Sequence, residues 1–193
     1  MVSTTYAGAF RPSVARNAVL YDVATVLAGT VLLAVCARIT FYVGPVPLTA
    51  QTFAVLLVGA LLGSRRGAAC ILTYIVEGVA GLPVFTGGAG PAYMAGPTGG
   101  YLVGFVVAAY VVGLLAERGW DRRPATTATM MVAGLVVLYA CGVAWLTVLM
   151  GFGKALAVGL YPFLIGEVAK VCLATALLPL GWKCLGPIGQ GKA

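Results

Sequence analysis

Six apolar stretches, at roughly 18–37, 46–63, 67–82, 99–116, 126–150 and 157–181, take up most of this chain and decide what it can become. A helix needs roughly 20 apolar residues to cross a bilayer, so a chain of 193 residues has room for about six or seven crossings and no separate soluble domain. Hydrophobic residues make up 61% of it and charged ones 9%, against roughly 25% charged in soluble domains. Twelve basic and five acidic side chains cannot coat a water-facing surface of this size, so the apolar surface must face lipid.

The basic residues also report orientation. With a cytoplasmic amino terminus, the inner side receives Arg11, Arg16, Arg65, Arg66, Arg118, Arg122, Arg123, Lys183 and Lys192, while the outer side receives Arg38 and Lys154. This bias agrees with the positive-inside rule only for an even number of crossings. The expectation is an all-α integral membrane protein of six transmembrane helices with both termini cytoplasmic. Residues 1–17 and 184–193 read as tails, and 18–183 as one transmembrane domain. The basic residues form no run, so the net charge of +7 is assigned to topology and not to nucleic acid.

Several chemistries are excluded early. The chain has no histidine, which removes the commonest general base and the usual imidazole metal ligand. Cys36, Cys70, Cys141, Cys172 and Cys184 form no C-x-x-C pair and read as packing thiols. With no metal-ligand cluster and no nucleophile motif, a lipid-modifying enzyme is disfavoured, and no cofactor or metal is expected.

Small residues recur four apart at Ala24 and Ala28, Gly59 and Gly63, Gly100 and Gly104, and Ala140 and Ala144. Such pairs let helices approach closely within one bundle, or offer a docking face to another membrane protein.

Two features can carry a ligand. Residues 82–99, on the outer side in this topology, are rich in glycine and proline, hold Phe85 and Tyr93, and carry no charge. They read as a lid over an apolar ligand in preference to a plain connector. The last apolar segment contains Glu167 and Lys170, three residues apart and therefore on one helix face. A lone charge at mid-membrane costs about 2.5–3.5 kcal/mol, so the pair is either a helix-locking ion pair or, the preferred reading, the polar end of a substrate pocket. From a helix start near 157, Lys170 would lie about 20 Å along the axis. Gln51 is a further pocket candidate or a capping residue. Glu77 is left between pairing with a basic residue and lining the cavity, Asp22 is placed at the interface, and Tyr74 and Tyr101 read as packing or interfacial aromatics.

Four blocks then occur in order: P-V-P-x-T-x-Q-T, G-x-L-L-G-x-R-x-G, G-L-P-V-F and G-P-T-G-G-Y, followed by YPFLIGEVAK. Together they make residues from about 25 to 182 closely resemble the BioY family, the biotin-specific S components of energy-coupling factor (ECF) transporters. The resemblance implies an S-component fold in the bacterial cytoplasmic membrane and high-affinity capture of biotin from outside. It also implies association with a transmembrane T component and ABC ATPases, which would supply ATP hydrolysis because this chain lacks G-x-x-x-x-G-K-[ST].

The family typically has Asp three residues before the lysine, where this chain has Glu167, and some relatives have Asn where this chain has Ala89. The implied biotin contacts are Glu167, Lys170, Gln51, Phe85, Gly87, Gly88, Ala89, Tyr93 and Tyr101, with backbone amides beside Ala89 able to stand in for the Asn side chain. Ala24 and Ala28 match the pattern that contacts the T component. A stand-alone, proton-linked carrier using Glu167 or Glu77 is the alternative.

Overall fold

The computed structural model describes residues 5–42 and 45–186, so Lys192 and the outermost parts of both expected tails lie outside the described residues. In chain order the elements are α1 (Tyr6–Ala9), α2 (Ala15–Arg38), β1 (Thr40–Phe41), β2 (Leu48–Thr49), α3 (Gln51–Leu62), α4 (Ser64–Val79), α5 (Pro91–Ala95), α6 (Gly99–Ala116), α7 (Pro124–Met150), α8 (Phe152–Gly159) and α9 (Leu164–Leu185). The fold is mostly helical, as expected. The departure is a short antiparallel hairpin that pairs Thr40 with Thr49 and Phe41 with Leu48.

Four apolar stretches are long enough to cross a membrane: α2, α6, α7, and α8 with α9 taken together as Phe152–Leu185. Their side chains are apolar on both the inner and outer faces. Val136, Val148 and Ile165 are exposed while Leu33, Leu138 and Leu146 are fully buried, as in a bundle whose outer solvent is lipid. The chain is a multi-pass membrane protein.

Helix α6 forms the centre. In its apolar window 61% of residues are buried, against 17% for α2, which lies at the periphery. Glycines set this close packing. A Cβ at Gly59 on α3 would lie 2.6 Å from the Ala109 carbonyl oxygen of α6, and one at Gly104 on α6 would lie 2.7 Å from the Leu138 carbonyl oxygen of α7. The pairs at Gly59/Gly63 and Gly100/Gly104 thus serve internal packing, whereas Ala24, Ala28, Ala140 and Ala144 are exposed.

Two local rules shape the ends. Gly63 (φ +86°) alone separates α3 from α4, a conformation glycine adopts without a Cβ penalty. Ser64 then starts α4, and the Glu117 carboxylate caps it by accepting from Ser64 N and Oγ, both at 2.8 Å. An acid at this end satisfies orphan amides and complements the helix dipole. Nearby, Asp22 pairs with Arg11 at 2.8 Å and Arg66 at 3.1 Å.

The last apolar segment is not one helix. Pro162 lies in a 3-10 turn, Tyr161–Phe163, that separates α8 from α9. Proline fixes its own φ and disfavours helical backbone in the residue before it, so the chain is re-aimed there. Lys170 is therefore six residues into α9, about 9 Å along the axis, and the expected depth of 20 Å is corrected to less than half.

Candidate functional site

Glu167 stands in the first turn of α9, where a carboxylate is favoured by the helix dipole, and Lys170 follows one turn later. The hairpin and the start of α3 lay Thr49 and Thr52 against them. Lys170 Nζ donates to Glu167 Oε1 at 2.8 Å, to Thr52 Oγ1 at 2.7 Å and to the Thr49 carbonyl at 2.9 Å. An ammonium has three protons, and each is used.

Glu167 is only 4% exposed, and its two oxygens differ. Oε1 accepts from Lys170, from Thr52 Oγ1 at 2.7 Å and from Tyr139 OH at 3.1 Å. Oε2 is buried and accepts no hydrogen bond from any described residue.

Gln51 organises a second network toward the loop. Its Nε2 donates to Tyr74 OH at 2.8 Å, and Tyr74 OH donates to the Val84 carbonyl at 2.9 Å. Its Oε1 accepts from Thr86 Oγ1 at 3.0 Å. Because Tyr74 spends its proton on Val84, it can only accept from Gln51, which fixes the amide orientation. Gln51 therefore joins α3 to α4 and the loop instead of capping its helix.

The loop folds down as a lid. Phe85 is buried, stacks on Tyr93 with ring centroids 4.7 Å apart, and meets Tyr74 edge-on at 5.5 Å. Arg38 donates to the Pro83 carbonyl, and Trp145 Nε1 donates to the Gly96 carbonyl at 2.9 Å. Beneath lies a cavity of about 40 Å³ lined by Val46, Gln51, Thr52, Tyr93, Tyr101 and Tyr139 among others. A space of this size holds a few waters at most. Tyr101 OH donates to the Gly159 carbonyl at 2.6 Å and supports the wall.

Of the expected contacts, Gln51, Tyr93 and Tyr101 line the cavity, while Glu167 and Lys170 are joined to it through Thr49, Thr52 and Tyr139. Phe85 lies behind Tyr93. Gly87 (φ +79°), Gly88 and Ala89 form the turn of the lid, with Ala89 exposed, and they do not line the cavity. Glu77 is away from it and accepts from Thr30 Oγ1 at 3.2 Å. Cys70 is a buried packing thiol, but Cys172 and Cys184 are exposed, so the packing role does not extend to them.

Sequence reasoning missed Thr52 and Tyr139. Thr52 lay within the P-V-P-x-T-x-Q-T block and carried that signal. Nothing in the sequence near Tyr139 separates it from an interfacial aromatic.

These features define a class: a multi-pass membrane protein that holds a buried, ion-paired polar site beneath an aromatic loop. Residues 10–187 match the BioY family, and the chain belongs to that family. It is 42% identical over 158 residues to a biotin transporter BioY of Thermotoga maritima, covering 81% of this chain and 92% of that one. It is 40% identical over 157 residues to a probable biotin transporter BioY of Pyrococcus horikoshii, covering 81% and 93%. Its fold is similar to the crystal structure of the S-component for biotin from an ECF-type ABC transporter, with a TM-score of 0.71 and 21% identity over 89% of this chain and 95% of that one.

Proposed function

We propose that this chain captures biotin at the Glu167–Lys170 site and passes it inward as the S component of an ECF-type importer. The observation that carries the reading is the buried Glu167 carboxylate, with one oxygen accepting nothing and the other held by Thr52 and Tyr139, two residues that line an aromatic-walled cavity. Biotin's ureido ring brings N–H donors for that oxygen, its thioether ring suits the apolar wall, and its carboxylate would lie toward the lid, whose glycine-rich turn can offer backbone amides. Lys170, with its protons spent within the protein, acts as the counter-charge to Glu167 and not as a donor to the ligand.

In this reading α3 and α4, 12 and 16 residues long, add two shorter crossings to the four long ones, giving six and placing both termini in the cytoplasm. The partners are a T component and ABC ATPases, because the chain has no phosphate-binding loop of its own. The exposed Ala24 and Ala28 on α2 are the proposed contact with the T component.

Titration calorimetry of the purified chain in detergent tests the binding role. Glu167→Ala and Lys170→Ala should each weaken biotin binding at least about tenfold, as expected when a charged hydrogen-bond partner is removed from a buried site. Unchanged affinity in both variants would reject the site.

A further inference from the structure

Thr52 and Tyr139 hold Glu167 in an arrangement whose hydrogen-bond directions are forced. An ammonium only donates, so Thr52 Oγ1, 2.7 Å from Lys170 Nζ, must accept from it. The single Thr52 proton is then left for Glu167 Oε1, 2.7 Å away. The Tyr139 hydroxyl, 3.1 Å from the same oxygen, likewise donates its proton there. Three donors from α3, α7 and α9 converge on Oε1, more than its two lone pairs accept in ideal geometry, while Oε2 receives none.

We propose that Thr52 and Tyr139 are positioning residues that lock the Glu167 carboxylate with Oε1 saturated and Oε2 left without a partner, so that the site demands one N–H donor from its ligand and rejects a ligand alkylated at that nitrogen. The inference rests on the biotin reading and adds the origin of its selectivity. Neither residue needs to bond the ligand. If either donor is lost, the carboxylate can turn and share its oxygens, and the demand for a single correctly placed N–H relaxes. Burial sharpens the effect, because a donor-free group placed against an unsatisfied buried carboxylate leaves that carboxylate's desolvation uncompensated.

The test titrates the purified full-length chain and its variants Thr52→Val, Thr52→Ser and Tyr139→Phe with biotin and with the two mono-N-methylated ureido analogues of biotin. The wild type should prefer biotin over at least one analogue by at least about a hundredfold, since a site built to hydrogen-bond an N–H can reject a ligand lacking it by up to about 10⁴–10⁵-fold. Thr52→Val, nearly the same shape, should lose about tenfold in biotin affinity and compress that preference at least about fivefold, while Thr52→Ser restores both. Tyr139→Phe, on a different helix, should compress the preference in the same direction and decides the matter if Thr52→Val does not fold. A preference unchanged in the folded variants, even with weaker binding, would reduce both residues to packing and overturn the proposal while leaving the biotin reading intact. Absence of biotin binding by the wild type would overturn both.

Discussion

The indole N–H of Trp182 donates to Asp121 Oδ2 at 2.6 Å, joining the carboxyl-terminal end of α9 to the turn between α6 and α7, at the opposite end of the bundle from the glycine-rich loop. Tyr6 lies against the same indole with ring centroids 4.3 Å apart, and the Arg122 guanidinium lies 4.6 Å from its centre. The helix that carries Glu167 and Lys170 is thereby anchored at its far end. Segment α1, at the expected cytoplasmic tail, is part of that anchor.

Asp121 is fully buried, and burial raises its pKa above the ordinary 3.8, against the lowering effect of the Trp182 hydrogen bond and Arg122. The folded state therefore binds this proton more tightly than the unfolded state. The associated stability is complete below pH 3.8 and is lost as pH rises through the higher folded-state value. Asp121→Asn keeps an acceptor for Trp182 and removes the titration. Melting temperatures in detergent from pH 4 to pH 7 should show the variant gaining on the wild type as pH rises. Asp121→Ala, which strands the buried indole N–H, should be about 1–3 kcal/mol less stable than Asp121→Asn at every pH. A wild-type-minus-Asn difference that does not change with pH would refute the burial argument.

Gly78 on α4 faces the Phe85 ring so closely that a Cβ there would overlap it. Gly78→Ala gains helix propensity of up to about 1 kcal/mol, yet it must displace the ring on which Tyr93 stacks. The expected outcome is a protein that melts near the wild-type temperature but binds biotin about tenfold more weakly, since forcing a packed side chain aside costs about 1–3 kcal/mol. Equal affinity would show that the seating of Phe85 does not govern the lid.

Packing at the bundle centre gives a contrast of glycines. A Cβ at Gly59 meets the Ala109 carbonyl oxygen at 2.6 Å and its Cα at 3.0 Å, and backbone cannot rotate away. Gly59→Ala should lower stability by about 1–3 kcal/mol. Gly153, in α8, has nothing within 4 Å of its Cβ position, and Gly153→Ala should be neutral or stabilising by up to about 1 kcal/mol. Thermal unfolding followed by fluorescence separates the two, and similar behaviour of both variants would contradict the helix contact.

The parts of this architecture legible in the sequence were those written in local patterns. Apolar runs gave α2, α6 and α7 to within about three residues at each end, because a segment surrounded by lipid needs no partner to reveal itself. Spacing gave the shared face of Glu167 and Lys170, and glycine with aromatic content marked the loop that packs over the bundle through Phe85 and Tyr93. Pro162 also signalled the break between α8 and α9, but it was absorbed into one long apolar run, and the site was placed too deep as a result. Contacts between distant segments were not legible. Thr52 meets Glu167 across 115 positions and Tyr139 meets it across 28, and no local pattern distinguishes a tyrosine that orients a carboxylate from one that packs.

Helix α2 offers the remaining test. Leu20, Ala24, Ala28, Val31 and Val35 follow helical spacing along one stripe, and all are exposed. Ala28 also borders an apolar groove of about 230 Å³ between α2 and α3, with Leu32, Val58 and Leu61 among its walls. Lipid tails are as apolar as these side chains, so a partner helix gains here through close backbone approach, which small residues permit. Leucine at exposed Ala24, or at Ala28 where the groove has room to receive it, displaces nothing inside the bundle and should leave the isolated chain's melting temperature and biotin affinity unchanged. The same change holds a partner helix away, so recovery of the T component in co-purification should fall about tenfold or more. If copurification survives in Ala24→Leu, Ala28→Leu and the double variant, the partner docks elsewhere. If biotin binding falls while assembly persists, the stripe belongs to the ligand site instead.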